Sequence, residues 1–365
     1  MRPATEADLA EVVRGARTGG GLAIRGGGTR GIGRAVTGDA LETAGLNGIS
    51  LYEPGALTIV AGAGTLLTEV EAALAAEGQR LAFEVPDMRG LLGRAGQSTI
   101  GGVVAVNASG PRRVQVGACR DSLIGVRFVD GRGEIIKNGG RVMKNVTGYD
   151  LVKLMAGSHG TLGVLTEVAF KVLPVPEAQV TLLLHGLDDR RAVSVMAAAL
   201  GSPYDVTGAA HWPGVGTFVR IEGFAPSVAY RADRLAGVLA EFGVVERAID
   251  PWADIRDVAA FRGLAGDVWR LSVKPSDGPG IVARIGADAV LYDWGGGLIW
   301  VLVPAGHDLR ARVAGLSGHA TLIRADAATR AMYATFQPEP VALAAIAAGL
   351  RARFDPRGIL NPGVM

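Results

Sequence analysis

Residues 22–38, LAIRGGGTRGIGRAVTG, run from a short apolar strand straight into a cluster of glycines. From Gly26 the letters satisfy G-x-G-x-x-G with Gly26, Gly28 and Gly31, and Gly28 and Gly33 have the glycine spacing of a P-loop. Both motifs need a helix to open directly behind the loop, because the phosphate rests on first-turn N–H groups. Residues 34–48 are instead RAVTGDALETAGLNG, with glycines at 38, 45 and 48 and no sustained 3.6-residue apolar period. Arg34 and Ala35 stand where a P-loop carries Lys and Ser/Thr. The amphipathic helix precedes the strand. Thr5 caps it with Asp8 three residues on, and Leu9, Val12, Val13 and Ala16 share a face. The order is helix, strand, glycine loop, so both nucleotide motifs fail. Two readings stay open at this point: a plain connector, or a loop whose consecutive glycines let several backbone N–H groups converge on an anion.

Composition narrows the class. A chain of 365 residues buries a sizeable core, and two domains is the natural division. With 37 basic against 35 acidic residues there is no field for nucleic acid or membrane, and 5% aromatics offers no base-stacking platform. The single cysteine, Cys119, excludes an internal disulfide and suits a reducing compartment. No secretory apolar stretch or run of about eighteen apolar residues occurs, so the expectation is a cytoplasmic protein without a transmembrane segment. Glycine is the outlier, 54 of 365 residues and roughly twice ordinary usage, interspersed with Val, Ile, Leu and Ala. That pattern means tight turns and close backbone approaches.

Outward from the loop, Leu57–Gly64 reads as a strand, and Thr65 is expected to cap a helix with Leu67, Val70 and Leu74 on one face, ended by Gly78. Ser98–Gly110, STIGGVVAVNASG, is a second glycine-rich stretch around a short Val-rich run, and Ser122–Gly140 is a hairpin turning at Asp130–Gly133. Gly160–Glu177 gives a long strand with Val164, Val168, Phe170 and Val172 on one face. It stops at Pro174-Val175-Pro176, where the domain boundary is placed. Beyond it, helices are expected around Asp189–Leu200, Ala225–Phe242 and Pro340–Arg353, and strands around Thr217–Glu222, Arg270–Val273 and Leu298–Val303. No internal repeat is visible in the letters.

Three glycine-rich stretches in one domain suit a dinucleotide bound in extended form, its pyrophosphate on one loop and its ring system against the others. IRGGGTR, STIGG, GRVMKNVTGYDLVKLMAGSHGTLGVLTEVAFKVLP and the terminal NPG occur in this order. On these motifs the chain resembles the vanillyl-alcohol oxidase/PCMH-type FAD-binding proteins, most closely the E-type FAD-binding subunits of bacterial glycolate oxidase. The resemblance implies an α+β fold: a PCMH-type FAD-binding domain of two α/β subdomains over residues 1–176, then a smaller α+β cap over 177–350. The tail, 351–365, would return to the FAD domain. It further implies that Gly26, Gly27, Gly28, Thr29 and Arg30 bind the FAD pyrophosphate through backbone amides. Thr99, Gly101, Gly102, Asn107 and Ser109 would pack against isoalloxazine and pyrophosphate, with Pro86 near the adenine-ribose side. Gly160, Thr161, Gly163 and Val164 would pass along the flavin. In the reaction so implied, glycolate or a similar 2-hydroxy acid gives a hydride to the flavin while a base takes the hydroxyl proton. Electrons then pass to an iron–sulfur subunit, beside a catalytic flavoprotein homologue in the same complex.

Several residues depart from the family pattern. His159 follows Ser158 where many members have Glu, and the first loop has neither the His nor the Cys of covalent flavin attachment, so FAD is expected to be non-covalent. The two-His cluster of the catalytic 2-hydroxy-acid dehydrogenases has no match, since His307 and His319 stand isolated. This favours a relay subunit over independent turnover, against two rivals: a stand-alone dehydrogenase of a hydroxy acid or sugar derivative, and a non-catalytic structural subunit. In the cap, Arg270 and Lys274 are the candidates for gripping a substrate carboxylate, with a structural strand end as the alternative. His159 reads as a hydrogen-bonded loop histidine or a flavin neighbour, and Lys144 and Tyr149 as structural or flavin-proximal. Trp294 would wall a pocket or pack in the core, and Cys119 fill the core. His211 lacks a second ligand at metal-site spacing, so no metal is expected.

Overall fold

The eleven-residue strand Val164–Pro174 organises the first half, burying residues on both of its faces. In this computed structural model, which describes residues 1–140, 148–313, 315 and 317–365, its neighbours can be traced in full. We number the strands β1 Leu22–Arg25, β2 Asp39–Glu42, β3 Ile49–Glu53, β4 Thr58–Gly62, β5 Gln79–Leu81, β6 Leu123–Val129, β7 Ile135–Gly139 and β8 Val164–Pro174. β8 pairs antiparallel with β4, β5 and β6, in a sheet ordered β3-β4-β8-β6-β7. Val168, Phe170 and Val172 point into a core with Ile59, Leu74, Ile100, Val103 and Phe128. Val164 meets a second cluster in which Leu9 and Val13 of the helix Glu6–Gly15 pack on Leu22, Leu41 and Leu360. Parallel β1 and β2 carry that smaller layer. Thr5 caps the first helix in a reciprocal capping box with Asp8.

Two local expectations change. Thr65 does not cap the helix Leu67–Ala76: its hydroxyl exchanges hydrogen bonds with the N–H and C=O of Gly48, and Leu66 stands at the cap without a side-chain bond. The stretch after Ser98 is not a loop around a strand-like run. Thr99 Oγ1 accepts from Gly102 N (3.3 Å) and starts a helix, Ile100–Ala105, whose glycines serve packing: a Cβ on Gly101 would lie 2.6 Å from that of Ala63. Lys144 lies outside the described residues.

The second half forms one antiparallel sheet of eight described strands: β9 Ala178–Leu184, β10 Val206–Trp212, β11 Gly216–Gly223, β12 Val245–Arg247, β13 Asp267–Val273, β14 Ala289–Asp293, β15 Leu298–Val303 and β16 Gly318–Arg324. The order β12-β9-β11-β10-β14-β15-β13-β16 discloses a repeat that the letters hide. β9 to β12 and β13 to β16 each run strand, helix, strand, strand, helix, strand, and the second strand of each unit pairs with that of the other. Composition differs between the units, so only the topology shows it. The helices Asp189–Leu200, Ala225–Leu239 and Gly278–Ile285 cover one face through Met196, Leu235 and Ile281 against Trp269 and Ile299. The opposite face, with Phe218, Val268, Leu298 and Trp300, packs on Leu91 of the first half.

Buried charge joins the halves. Arg112 donates from Nε and Nη2 to Glu222 on β11, Arg80 donates to the same carboxylate, and Arg220 donates to Glu84. Burial alone would push the Glu222 carboxyl up, but the guanidinia of Arg112, Arg220 and Arg80 outweigh it and hold the group at about 2. Among the described residues, no helix is long and apolar enough to cross a membrane.

Candidate active site

Three segments close around a cavity of about 360 Å³: the glycine loop behind β1, the first turn of the helix Ile100–Ala105, and Ser158–Leu165 at the start of β8. Gly26, Gly27, Gly28, Thr29, Arg30, Thr99, Gly101, Gly102, Gly160, Gly163 and Val164 line it together. The loop is seated by close approach: a Cβ on Gly27 would lie 1.5 Å from the Gln97 carbonyl oxygen, and one on Gly26 2.3 Å from Thr99 Oγ1. Gly28 takes a φ of +70°, open to a residue without a Cβ, and nothing lies within 4 Å of where its Cβ would project. Among the described residues, no backbone N–H from Gly27 to Gly33 has a protein acceptor. Unpaired amides in a loop that lines a cavity are a backbone arrangement able to hold an anion without a helix behind it.

Arg30 braces the loop from beneath. It is buried, donating through Nη1 to the carbonyl of Pro86 and through Nη2 to Ser98 Oγ at 2.8 Å, while its Nε has no partner among the described residues. Burial lowers this guanidinium to about 10, with Asp87 and Asp257 opposing the drop. Pro86 thus reaches the site through Arg30 and does not line the cavity. Asn107, Ser109 and Thr161 also stand behind the wall. Asn107 Oδ1 accepts from Arg120 N, Ser109 Oγ donates to the Asn107 carbonyl, and Thr161 Oγ1 donates to the Ser158 carbonyl.

Two lining residues had thinner signals. Asn361, in the terminal NPG, accepts from Ile24 N at 2.7 Å and donates to the His159 carbonyl at 2.8 Å, so it ties β1 to the β8 segment. His159 holds a left-handed φ of +51°. Its backbone donates to Ala105, but its ring has no hydrogen bond among the described residues and stands edge-on to Phe336, centroids 5.1 Å apart. The hydrogen-bonded-loop reading therefore holds for its backbone alone. Burial, and then the charge of Arg270, lower its imidazole to about 4, so it is neutral at pH 7.

Arg270 comes from the cap. On β13 it stands opposite Trp300 of β15 and Thr321 of β16, on the sheet face turned to the first half, and His319 stands opposite Ser272 on the same face. Half-buried, it has no hydrogen-bond or carboxylate partner among the described residues, and burial and the nearby Arg113 lower its pKa. Burial, Arg270 and Arg113 likewise lower His319, which is therefore not isolated. Arg113 lies over the Trp294 ring at 4.5 Å, and the Trp294 indole N–H donates to Gly110 O at 3.0 Å. Trp294 is a joint between the halves. Lys274 is exposed past the end of β13 and is not brought into this group, and Tyr149 is exposed at 88%. Cys119 is buried in the first core with its thiol pushed well up, which makes it inert. His211 is buried in the cap, its Nδ1 2.9 Å from Thr217 Oγ1 and its Nε2 3.5 Å from Asp189.

The FAD binding domain family model matches residues 1–139. The glycolate oxidase subunit GlcE of Escherichia coli K12 is 36% identical over 338 residues, 92% of this chain and 89% of that protein. The glycolate oxidase subunit GlcD of Bacillus subtilis is 48% identical over 86 residues, 24% of this chain and 18% of its own. Among solved structures, an alkyldihydroxyacetonephosphate synthase superposes with a TM-score of 0.70 at 16% identity, covering 99% of this chain and 76% of that one, which shows the fold alone.

Proposed function

The chain belongs to the family of the glycolate oxidase subunit GlcE, and from that premise we propose that the 360 Å³ cavity takes FAD and that Arg270 takes the substrate carboxylate. The chain is an FAD-dependent oxidoreductase subunit taking part in the oxidation of glycolate or a similar 2-hydroxy acid. The residues fit the cofactor. Free amides from Gly27 to Gly33 suit the diphosphate, and the backbone of Gly101, Gly102, Gly160 and Gly163 with Val164 lines the rest of the cavity, a wall for a flat ring system.

Bound there, FAD supplies the two-electron acceptor for the substrate C–H bond. The chain's own groups do the rest. Arg270, with Arg113 beside it, orients the carboxylate, and His319 adds a polar group on the same face. His159, neutral at pH 7 and in the lining, is the side chain we assign to accept the substrate's hydroxyl proton. An imidazole held at about 4 is a weak base, in keeping with the proposed relay role. The destination of the electrons would be the iron–sulfur subunit and the catalytic flavoprotein homologue of the same complex.

The observation that carries this reading is Arg270, on the cap-sheet face turned to the first half and on the strand paired with that of His319, with no hydrogen-bond or carboxylate partner among the described residues. A partly buried guanidinium without a carboxylate suits an anion. The test is a titration of the FAD-loaded chain with oxalate and glycolate, followed by flavin absorbance. We expect a saturable spectral shift that Arg270→Met weakens by at least roughly tenfold. No shift at saturating anion, with flavin bound, would remove the carboxylate site and leave electron relay alone.

A further inference from the structure

The helix Val341–Phe354, VALAAIAAGLRARF, has no buried residue. A helix apolar around most of its circumference belongs inside a larger body or against another one. Its half-buried residues are Ala344, Ala347, Arg351 and Phe354, which mark the side facing the rest of the chain. The large apolar residues point elsewhere. Leu343, Ile346 and Leu350 are 54%, 62% and 37% exposed, and at about 100° per residue their stripe lies roughly a quarter-turn from the inward side. Among the described residues, hydrogen bonds and ring contacts fasten its C-terminal end. Phe354 meets Phe128 with ring centroids 6.1 Å apart, its carbonyl accepts from Gly131 N, and the Arg353 carbonyl accepts from Arg132.

We propose that this stripe is where the chain docks onto another protein subunit of its oxidoreductase complex, a partner offering an apolar helical face rimmed by carboxylates. The inference rests on the reading of the chain as one subunit of a glycolate oxidase-type assembly. Three features select a protein occupant. Ala342 and Gly349 are small and exposed along one edge of the stripe, which lets a second helix approach closely. A helix lying in a membrane surface needs a strongly charged face opposite its apolar one, and here the charged residues are only Arg351 and Arg353, in the last turn. Arg353, exposed at the edge of the stripe, has no side-chain carboxylate partner among the described residues, and the helix carries no acidic residue, so a complementary rim is negative.

Co-expression of the full chain with the catalytic flavoprotein and iron–sulfur subunits of its complex tests this, comparing wild type with the double variant Leu343→Glu, Ile346→Glu. Glutamate preserves helix propensity, and the sites lie away from the cavity, so flavin content and circular dichroism should stay at wild-type levels. We expect recovery of the partner subunits on the tagged chain to fall at least roughly tenfold. Equal recovery by the variant would overturn the docking site while the assembly reading stands. Failure of the wild type itself to recover either subunit would overturn both. A wild-type dimer in light scattering that the variant abolishes, or flotation with phosphatidylcholine/phosphatidylglycerol vesicles that it abolishes, would replace the subunit with a second copy or a membrane and overturn the assignment.

Discussion

Arg112 and Glu222, 110 residues apart and in different halves, meet in a two-pronged pair: Nε to Oε2 and Nη2 to Oε1, both 2.9 Å. Their side chains are 7% and 4% exposed, and Arg80 donates to the same carboxylate. Glu222→Gln leaves three guanidinia around a neutral amide. The expected cost is about 3–5 kcal/mol, the range for breaking one partner of a buried pair, read from urea denaturation. Because Glu222 is held at about 2 against an ordinary 4.5, its stabilisation is complete above about pH 4.5 and fades as pH falls toward 2. Wild type should lose stability steeply across that window, and the variant far less.

Asp293 should behave in the opposite sense. Fully buried at the end of β14, it is pushed up to about 7 by desolvation, with Glu84 adding to the rise and the Trp294 N–H and Arg220 opposing it. The unfolded chain ionises this group near 3.8 and the folded chain only near 7, so the acid costs stability increasingly as pH rises between those values. Asp293→Asn keeps an acceptor for Trp294 N and removes the cost. Its melting temperature should match wild type at pH 4 and exceed it at pH 8; a variant less stable at pH 8 would refute this.

The glycine loop gives a graded series. Gly27→Ala places a Cβ 1.5 Å from the Gln97 carbonyl, so the loop cannot seat, and both FAD affinity and melting temperature should fall, the former by roughly 100-fold. Gly28→Ala meets open space but keeps a φ of +70°, costing about 1 kcal/mol of strain. Gly31→Ala meets nothing within 4 Å at an ordinary φ, so its stability should hold while a methyl intrudes on the cradle. Equal FAD affinity across all three, measured by flavin fluorescence quenching, would exclude the loop as the diphosphate site.

Arg270→Met should separate stability from binding. Removing one of two neighbouring cations, Arg270 beside Arg113, should raise the melting temperature by a few degrees, even as affinity for a small carboxylate drops. A variant less stable than wild type would mean that Arg270 holds the sheet together and is not reserved for a ligand.

Much of this was legible locally. Val164, Val168, Phe170 and Val172 announce the central strand by alternation, and the helix Asp189–Leu200 and the strand Leu298–Val303 have the bounds their apolar spacing suggests. The glycine loop, the segment before β8 and the terminal Asn361 line one cavity, and each was visible as a motif. What stayed hidden is non-local. Thr65 looks like a helix cap until Gly48 is found beside it, and Gly101 looks like a turn residue until Ala63 is seen to need the space. His319 joins Arg270 only because β16 pairs with β13. No spacing rule joins Arg112 to Glu222, and the doubled cap topology repeats connections, not residues.

The hydrogen bond that Ile24 N–H donates to Asn361 Oδ1 spans 337 positions, and Leu360 bridges Leu22 beside it. During synthesis, therefore, the glycine loop leaves the ribosome hundreds of residues ahead of the segment that pins it. An emerging chain has β1 and its loop early, but no finished cradle until Asn361 clears the exit tunnel. In the proposed site, cofactor loading would therefore come late on the biosynthetic timeline, and a chain cut before Leu360 should reach the cell's quality-control machinery empty.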